Sequence, residues 1–153
     1  MFNRREIVIA CSVALAFFAA IAWAQTSGKL VSTKPAMESS VFDWNQVKVE
    51  AAKYGAKRQI FDGSTAVLGH FECHATTLNP GETTHAPRRQ PDEELVIVKE
   101  GTIEAELNDQ PRRVEAGSVL FVAANDLYGV QNTSDATATY YVIKWSAAEP
   151  AAK

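Results

Sequence analysis

Short apolar stretches alternate with polar turns along most of the chain from residue 57 onward. Stretches such as 136–144 are rich in β-branched and aromatic residues, which favour strands. They stop at turn-forming residues such as Pro80-Gly81 and Asn108-Asp109. Short strands at this spacing, without a long helical pattern, predict an all-β sandwich or barrel. The predicted strands are 57–61, 65–78, 94–99, 102–107, 112–115, 118–122, 128–132 and 137–145.

The chain that precedes these strands is less regular. Residues 25–40 are rich in Ser, Thr, Lys and Pro, which predicts a flexible leader. Residues 41–44 form the first apolar cluster, and we expect this cluster to dock on the domain. Residues 47–54 fit either a helical turn or an edge strand.

The first 24 residues have the pattern of a secretory signal. Arg4 and Arg5 precede an apolar run at 7–22, and Ala22-Trp23-Ala24 places small residues around the expected cleavage point. We therefore expect cleavage after Ala24 and export to a periplasm or the exterior. An uncleaved membrane anchor is the alternative, although the run is shorter than the roughly 20 residues that cross a bilayer. The paired arginines also leave a twin-arginine export route open.

Without this signal the chain has 129 residues, the size of one domain. It then carries 13 basic and 17 acidic residues, and this net charge of −4 argues against a nucleic-acid partner. Cys73 is the single remaining cysteine, so no internal disulfide is expected. The predicted organisation is a signal peptide at 1–24, a flexible leader at 25–40, a domain at 41–146 and a tail at 147–153.

The order of glycines and turns resembles the two motifs of the cupin superfamily. Pro80-Gly81 is followed by a polar stretch, by Glu94 and, six residues later, by Gly101, as in the end of the first motif. The second motif is matched by Gly117 and by the residues spaced after it, Ala123, Asn125, Tyr128 and Asn132.

This resemblance covers roughly 56–146 and is closest to small single-domain cupins of the type-2 kind. It implies a double-stranded β-helix, a jelly roll that encloses a small pocket. By analogy with the family, it also implies that the chain can form a homodimer.

The resemblance also implies positions for a metal. In the family, a His-x-His pair, the glutamate and a histidine of the second motif bind a transition metal. Two histidines at i and i+2 lie about 6.6 Å apart on one strand face, close enough to share an ion. Counting from Glu94 places the pair at Arg88 and Gln90, and the distant histidine at Tyr128. Arginine has no lone pair to donate and glutamine is a weak ligand, so we expect a degenerate site without a metal cofactor.

Other histidines offer limited replacements. His70 and His74 are about 13 Å apart along one predicted strand, too far to bind one ion, and we expect both at the surface or the rim. His85 lies in the loop before the strand of Glu94. With a register slip, His85 and Glu94 could form a rearranged site for a divalent transition metal.

The replaced positions suggest a different pocket chemistry. The Arg88 guanidinium could pair with Glu94, because an unpaired carboxylate inside an apolar barrel is costly. Gln90, Tyr128 and His85 would then complete a polar pocket for a small polar or anionic molecule, which arginine binds through two parallel hydrogen bonds. The alternative is that 88–90 line a solvated loop while Glu94 caps a strand end.

Three functions follow from this pattern. The first is an exported, metal-free cupin that binds or senses a small molecule, with no stable membrane anchor after signal cleavage and no catalytic residue identified. The second is a metal-dependent cupin enzyme, an oxygenase or isomerase, that uses the rearranged site. The third is a structural barrel whose main role is dimerisation.

Overall fold

The computed structural model describes residues 35–148, and these residues form nine β-strands and no helix. The predicted signal peptide lies outside the described residues. The strands are β1 (Glu50–Ala52), β2 (Gly55–Gly63), β3 (Leu68–Leu78), β4 (Glu93–Glu100), β5 (Thr102–Leu107), β6 (Gln110–Glu115), β7 (Val119–Val122), β8 (Tyr128–Gln131) and β9 (Ala138–Ala147). Within 35–148, the structure contains no helix that is long and apolar enough to span a membrane.

The strands form two antiparallel sheets that face each other. The larger sheet has the order β1-β2-β3-β9-β4-β7, and the smaller has the order β6-β5-β8. Non-consecutive strands are therefore neighbours, as in a jelly roll. The predicted all-β double-stranded β-helix is confirmed.

Burial alternates along the strands, so that one face of each strand packs in the core between the sheets. In β4, Glu94, Val96 and Val98 are buried, while Leu95 and Ile97 between them are partly exposed. Each buried side chain of this size contributes about 1.5–3 kcal/mol to stability. The largest fully buried apolar side chains are Leu78, Ile103, Val96, Val98 and Val122.

Two turns have the backbone geometry that their residues predict. Asn108 and Asp109 both have positive φ, 48° and 63°, and make the two-residue hairpin between β5 and β6. Gly101 has φ 77°, and a Cβ there would lie 2.7 Å from the carbonyl oxygen of Thr137. The first motif needs glycine at this turn for both reasons.

The structure refines several predicted boundaries. Residues 50–52 form an edge strand, which settles the ambiguity over 47–54. The strand predicted to start at residue 65 starts at Leu68, because Thr65 forms a turn whose hydroxyl accepts hydrogen bonds from the backbone amides of Val67 and Leu68. Phe42 and Trp44 dock on the larger sheet through contacts with Phe61 and Tyr141.

Candidate functional site

A polar cavity of about 330 Å³, called here the inner cavity, is lined by side chains of both sheets and of the loop before β4. Most of its lining comes from the inward face of the larger sheet. The lining residues are Tyr54, Lys57, Glu72, His74, Thr76, Thr84, His85, Arg88, Glu94, Tyr128, Val130, Tyr140, Val142 and Lys144.

Strand register brings three charged residues into one row across the centre of the larger sheet. In the pairing of β3 with β9, Glu72 lies opposite Lys144, and in the pairing of β4 with β9, Glu94 lies opposite the same lysine. Directly opposed residues are the closest side-chain neighbours in a sheet. Lys144 therefore stands between two carboxylates.

Glu94 is the most deeply buried carboxylate of the inner cavity, with 3% of its surface exposed. Its Oε2 lies 3.7 Å from Lys144 Nζ and accepts a hydrogen bond from Gln90 Nε2. Burial raises the pKa of Glu94 above its ordinary value, although Lys144 and Gln90 oppose this effect. The ammonium and the amide therefore offset part of the effect of burial on this carboxyl group.

Glu72 has the opposite electrostatic setting. Its Oε1 accepts hydrogen bonds from His74 Nδ1 at 2.9 Å and Gln59 Nε2 at 3.0 Å, and it lies 3.7 Å from Lys57 Nζ. The hydrogen bond from His74 is the main cause that lowers the pKa of Glu72 to about 2, against the effect of burial. One cavity thus holds two carboxyl groups whose pKa values are shifted in opposite directions.

The structure brings the five predicted site residues to one place. Arg88, Glu94, Tyr128 and His85 line the inner cavity, and Gln90 contacts Glu94. The backbones of Arg88 and Tyr128 exchange two hydrogen bonds of 3.0 and 3.1 Å. This pairing fixes the loop of the first motif beside β8.

The proposed pairing of Arg88 with Glu94 is wrong. Arg88 is exposed, and Glu94 has Lys144 as its ion-pair partner. Lys144 points inward from the strand next to β4, whereas Arg88 extends from a loop at the margin of the cavity. A strand neighbour can reach a carboxylate buried on the sheet more directly than a loop residue can.

Two buried tyrosines supply phenol groups. Tyr128, which the motif spacing aligns with the second-motif histidine, is 4% exposed. Burial, reinforced by the negative charge of Glu94, raises its pKa well above the usual value, and the pKa of Tyr140 is raised in the same direction, mainly by burial. Both phenols therefore stay protonated and can donate hydrogen bonds in the cavity.

The histidines separate into three environments. His70 is partly exposed, in agreement with the predicted surface or rim position, and its ring nitrogens contact Asp62 and Asp92. His74 contradicts the prediction of a surface or rim position, because its largely buried ring lines the inner cavity. His85 also lines the cavity, with Nδ1 2.9 Å from the carbonyl oxygen of Ala86.

Several site residues were missed from the sequence. Glu72, His74 and Thr76 alternate along β3, and Tyr140 and Lys144 share the inward face of β9. The sequence shows that these residues alternate along each strand. Only the pairing of β3 with β9, however, shows that the inward faces of the two strands line the same cavity.

The residues that the motif spacing assigns to the family's metal positions do not suit a transition metal. By that spacing, Arg88, Gln90 and Tyr128 replace three histidines, and an arginine has no lone pair to donate. In the described part of the chain, no group of three or more His, Cys, Asp or Glu side chains is arranged to hold an ion. No chemical step through a metal is derived for this site.

Elemental analysis tests this interpretation directly. We expect purified mature protein to contain well under one transition-metal ion per chain after incubation with Fe²⁺, Mn²⁺, Ni²⁺ and Zn²⁺ and removal of the excess. The R88H/Q90H/Y128H variant restores the family's ligands and should then bind one divalent ion. A stoichiometric metal in the wild type that is lost in E94A would contradict the interpretation.

Comparisons with known proteins agree with the fold and the motifs. The family model described as a cupin domain matches residues 74–144, while no curated protein sequence matches the chain. The polyketide cyclase RemF of Streptomyces resistomycificus is 21% identical with a TM-score of 0.58, covering 71% of this chain and 80% of that one. An RmlC-like cupin of Shewanella frigidimarina is 15% identical with a TM-score of 0.59, and the match covers 72% of this chain and 95% of that one.

A third similar structure is that of a sugar phosphate isomerase of the cupin superfamily, from Silicibacter pomeroyi. It is 16% identical with a TM-score of 0.56, and the match covers 70% of this chain and 76% of that one. At these identities the likeness shows the fold and not the chemistry. The jelly roll, the two motifs in register and the family model together show that this chain is a member of the cupin superfamily.

Proposed function

We propose that this cupin is an exported small-molecule binding module whose inner cavity takes a small anion, most simply a carboxylate. The observation that carries the proposal is the charge of the cavity lining. Lys57, Lys144 and Arg88 are cationic, whereas Glu72 and Glu94 are the lining carboxylates. With neutral histidines, the lining has an excess of one positive charge.

Arg88 is the cation that remains available. Lys57 and Lys144 each lie 3.7 Å from a glutamate oxygen, so their charges are already paired. The Arg88 side chain makes no ion pair with a carboxylate of residues 35–148. A guanidinium at the margin of a cavity can bind a carboxylate through two parallel hydrogen bonds.

The remaining lining suits a small polar molecule. A volume of about 330 Å³ lies at the lower end of ordinary ligand pockets. Tyr54, Tyr128 and Tyr140 provide phenol groups, and Thr76 and Thr84 provide hydroxyl groups. Such groups orient the uncharged oxygens of a ligand whose carboxylate is bound by Arg88.

Export is the part of the proposal that rests on the sequence of residues 3–24 alone. A binding module released by signal cleavage would meet its ligand outside the cytoplasm. Amino-terminal sequencing of the protein recovered from the periplasm or the medium should begin at Gln25. An intact start at Met1 in the cytoplasmic fraction would contradict export.

Calorimetric titration tests anion binding with pyruvate, 2-oxobutyrate and 2-oxoglutarate as probes. We expect at least one probe to bind the wild-type protein. Because a hydrogen bond to a charged group is worth about 1.5–3 kcal/mol, R88A should weaken binding by roughly 10- to 100-fold.

R89A is the matched control for this experiment. Arg89 is the neighbouring exposed arginine, but its guanidinium donates a hydrogen bond of 2.7 Å to the Asn125 carbonyl and does not line the cavity. Its removal should leave the affinity unchanged. Failure of all three probes to bind, or equal losses in R88A and R89A, would contradict the proposal.

A further inference from the structure

Glu72 and His74 form a hydrogen-bonded pair on the inward face of β3. They are two residues apart, so both side chains point into the inner cavity. Glu72 Oε1 and His74 Nδ1 are 2.9 Å apart, and the side chains are only 13% and 12% exposed. The anion-binding proposal gives this pair no role.

The carboxylate of the pair is held in place by the adjacent strand. Gln59 Nε2 donates a hydrogen bond of 3.0 Å to Glu72 Oε1, and Lys57 Nζ lies 3.7 Å from the same oxygen. These contacts keep Glu72 ionised and restrict its rotation. The low pKa of Glu72, about 2, is consistent with this setting.

An ionised carboxylate at Nδ1 determines the tautomer of the neutral imidazole. Glu72 can only accept, so the proton of the neutral ring lies on Nδ1 and the lone pair lies on Nε2. Among residues 35–148, none makes a hydrogen bond with His74 Nε2. The basic nitrogen is therefore available to a molecule in the cavity.

We infer that His74 acts as a general base on a bound carboxylate that carries an adjacent carbonyl, a 2-oxo acid, with Glu72 as its positioning residue. The inference rests on the proposed anion binding, which would place such a molecule beside the ring. It extends the protein's role from binding to catalysis of proton transfer at carbon.

The step is balanced without a metal or a second reactant. His74 Nε2 takes a proton from the carbon next to the carbonyl, so a C–H bond breaks and an N–H bond forms. The C–H electron pair becomes the carbon–carbon double bond of an enolate, and the carbonyl oxygen takes the negative charge. Return of a proton from Nε2 to the same carbon restores the oxo acid. Where that carbon is a stereocentre, its configuration is either retained or inverted.

The phenol groups of the cavity suit this intermediate. Tyr128 and Tyr140 line the same cavity and stay protonated, because burial raises their pKa values. Each can donate a hydrogen bond to a developing enolate oxygen, whereas Lys57 and Lys144 are already paired with glutamates. The inner cavity thus holds a base, a carboxylate that orients the base, and donors for the enolate oxygen.

Deuterium exchange measures the step directly. Pyruvate, 2-oxobutyrate and 2-oxoglutarate are incubated with the protein in D₂O, and proton NMR follows loss of the signal from the carbon beside the carbonyl. For a probe that binds, we expect wild-type protein to raise the exchange rate by about 10²-fold or more over buffer. H74Q and H74N should return the rate to the buffer value while retaining the wild-type circular dichroism spectrum.

Two further variants separate catalysis from a structural role. E72Q should lower the exchange rate at saturating probe about tenfold or more without weakening the calorimetric Kd, because Glu72 orients the base while its neutralisation makes the cavity lining more positive. H70Q is the matched histidine control on the same strand, and it should exchange at the wild-type rate.

The outcomes distinguish this inference from the binding proposal. Probe binding without exchange above the H74Q level overturns the inference and leaves the binding proposal intact. Absence of binding by every probe overturns the binding proposal, and the inference falls with it. Nitrogen-15 NMR at pH 8 adds a measurement that needs no probe: the neutral His74 ring should be protonated at Nδ1, and protonation at Nε2 would overturn the inference.

Discussion

The ion pair between Lys144 and Glu94 is the interaction on which the site depends. Glu94 is buried on the inward face of β4, where an uncompensated carboxylate would cost several kcal/mol. Lys144 supplies the compensating charge from the neighbouring strand β9, at 3.7 Å. In metal-binding members of the family, a cation in the pocket would balance this glutamate. Here a side chain of the same sheet does so.

The position of Lys144 also links the two carboxyl groups of the cavity. Its strand runs between β3 and β4, so its ammonium faces Glu72 on one side and Glu94 on the other. Glu72 has additional donors and a lowered pKa, whereas Glu94 is buried more deeply and has a raised pKa. Opposite shifts within one cavity are typical of sites that move protons, although ion-pair networks also cause them.

Much of the fold could be predicted from the sequence because its signals are local. Turns such as Asn108-Asp109 and Gly101 mark strand ends through backbone requirements that few residues meet. The spacing of the two motifs then placed Arg88, Glu94 and Tyr128 around one cavity, as the structure shows. A local pattern did not decide whether 47–54 would form a strand, since β1 depends on pairing with β2.

The electrostatics of the site could not be predicted in the same way. Arg88 was expected to neutralise Glu94, but the partner is Lys144, which lies far along the chain and becomes a neighbour only through the pairing of β4 with β9. His74 was placed at the surface because one strand alone does not reveal which of its faces is covered. Both features depend on how strands that are distant in sequence pair with each other, and a single sequence does not reveal this pairing.

The central claim is that Lys144 provides the charge that Glu94 requires, and urea denaturation of paired variants tests it most directly. K144M leaves the buried carboxylate uncompensated and should lower the free energy of unfolding at pH 7 by about 3–5 kcal/mol. Adding E94Q to give K144M/E94Q removes the charge that needs compensation and should recover most of this loss. A K144M protein within about 0.5 kcal/mol of wild type, or no recovery in K144M/E94Q, would contradict the account.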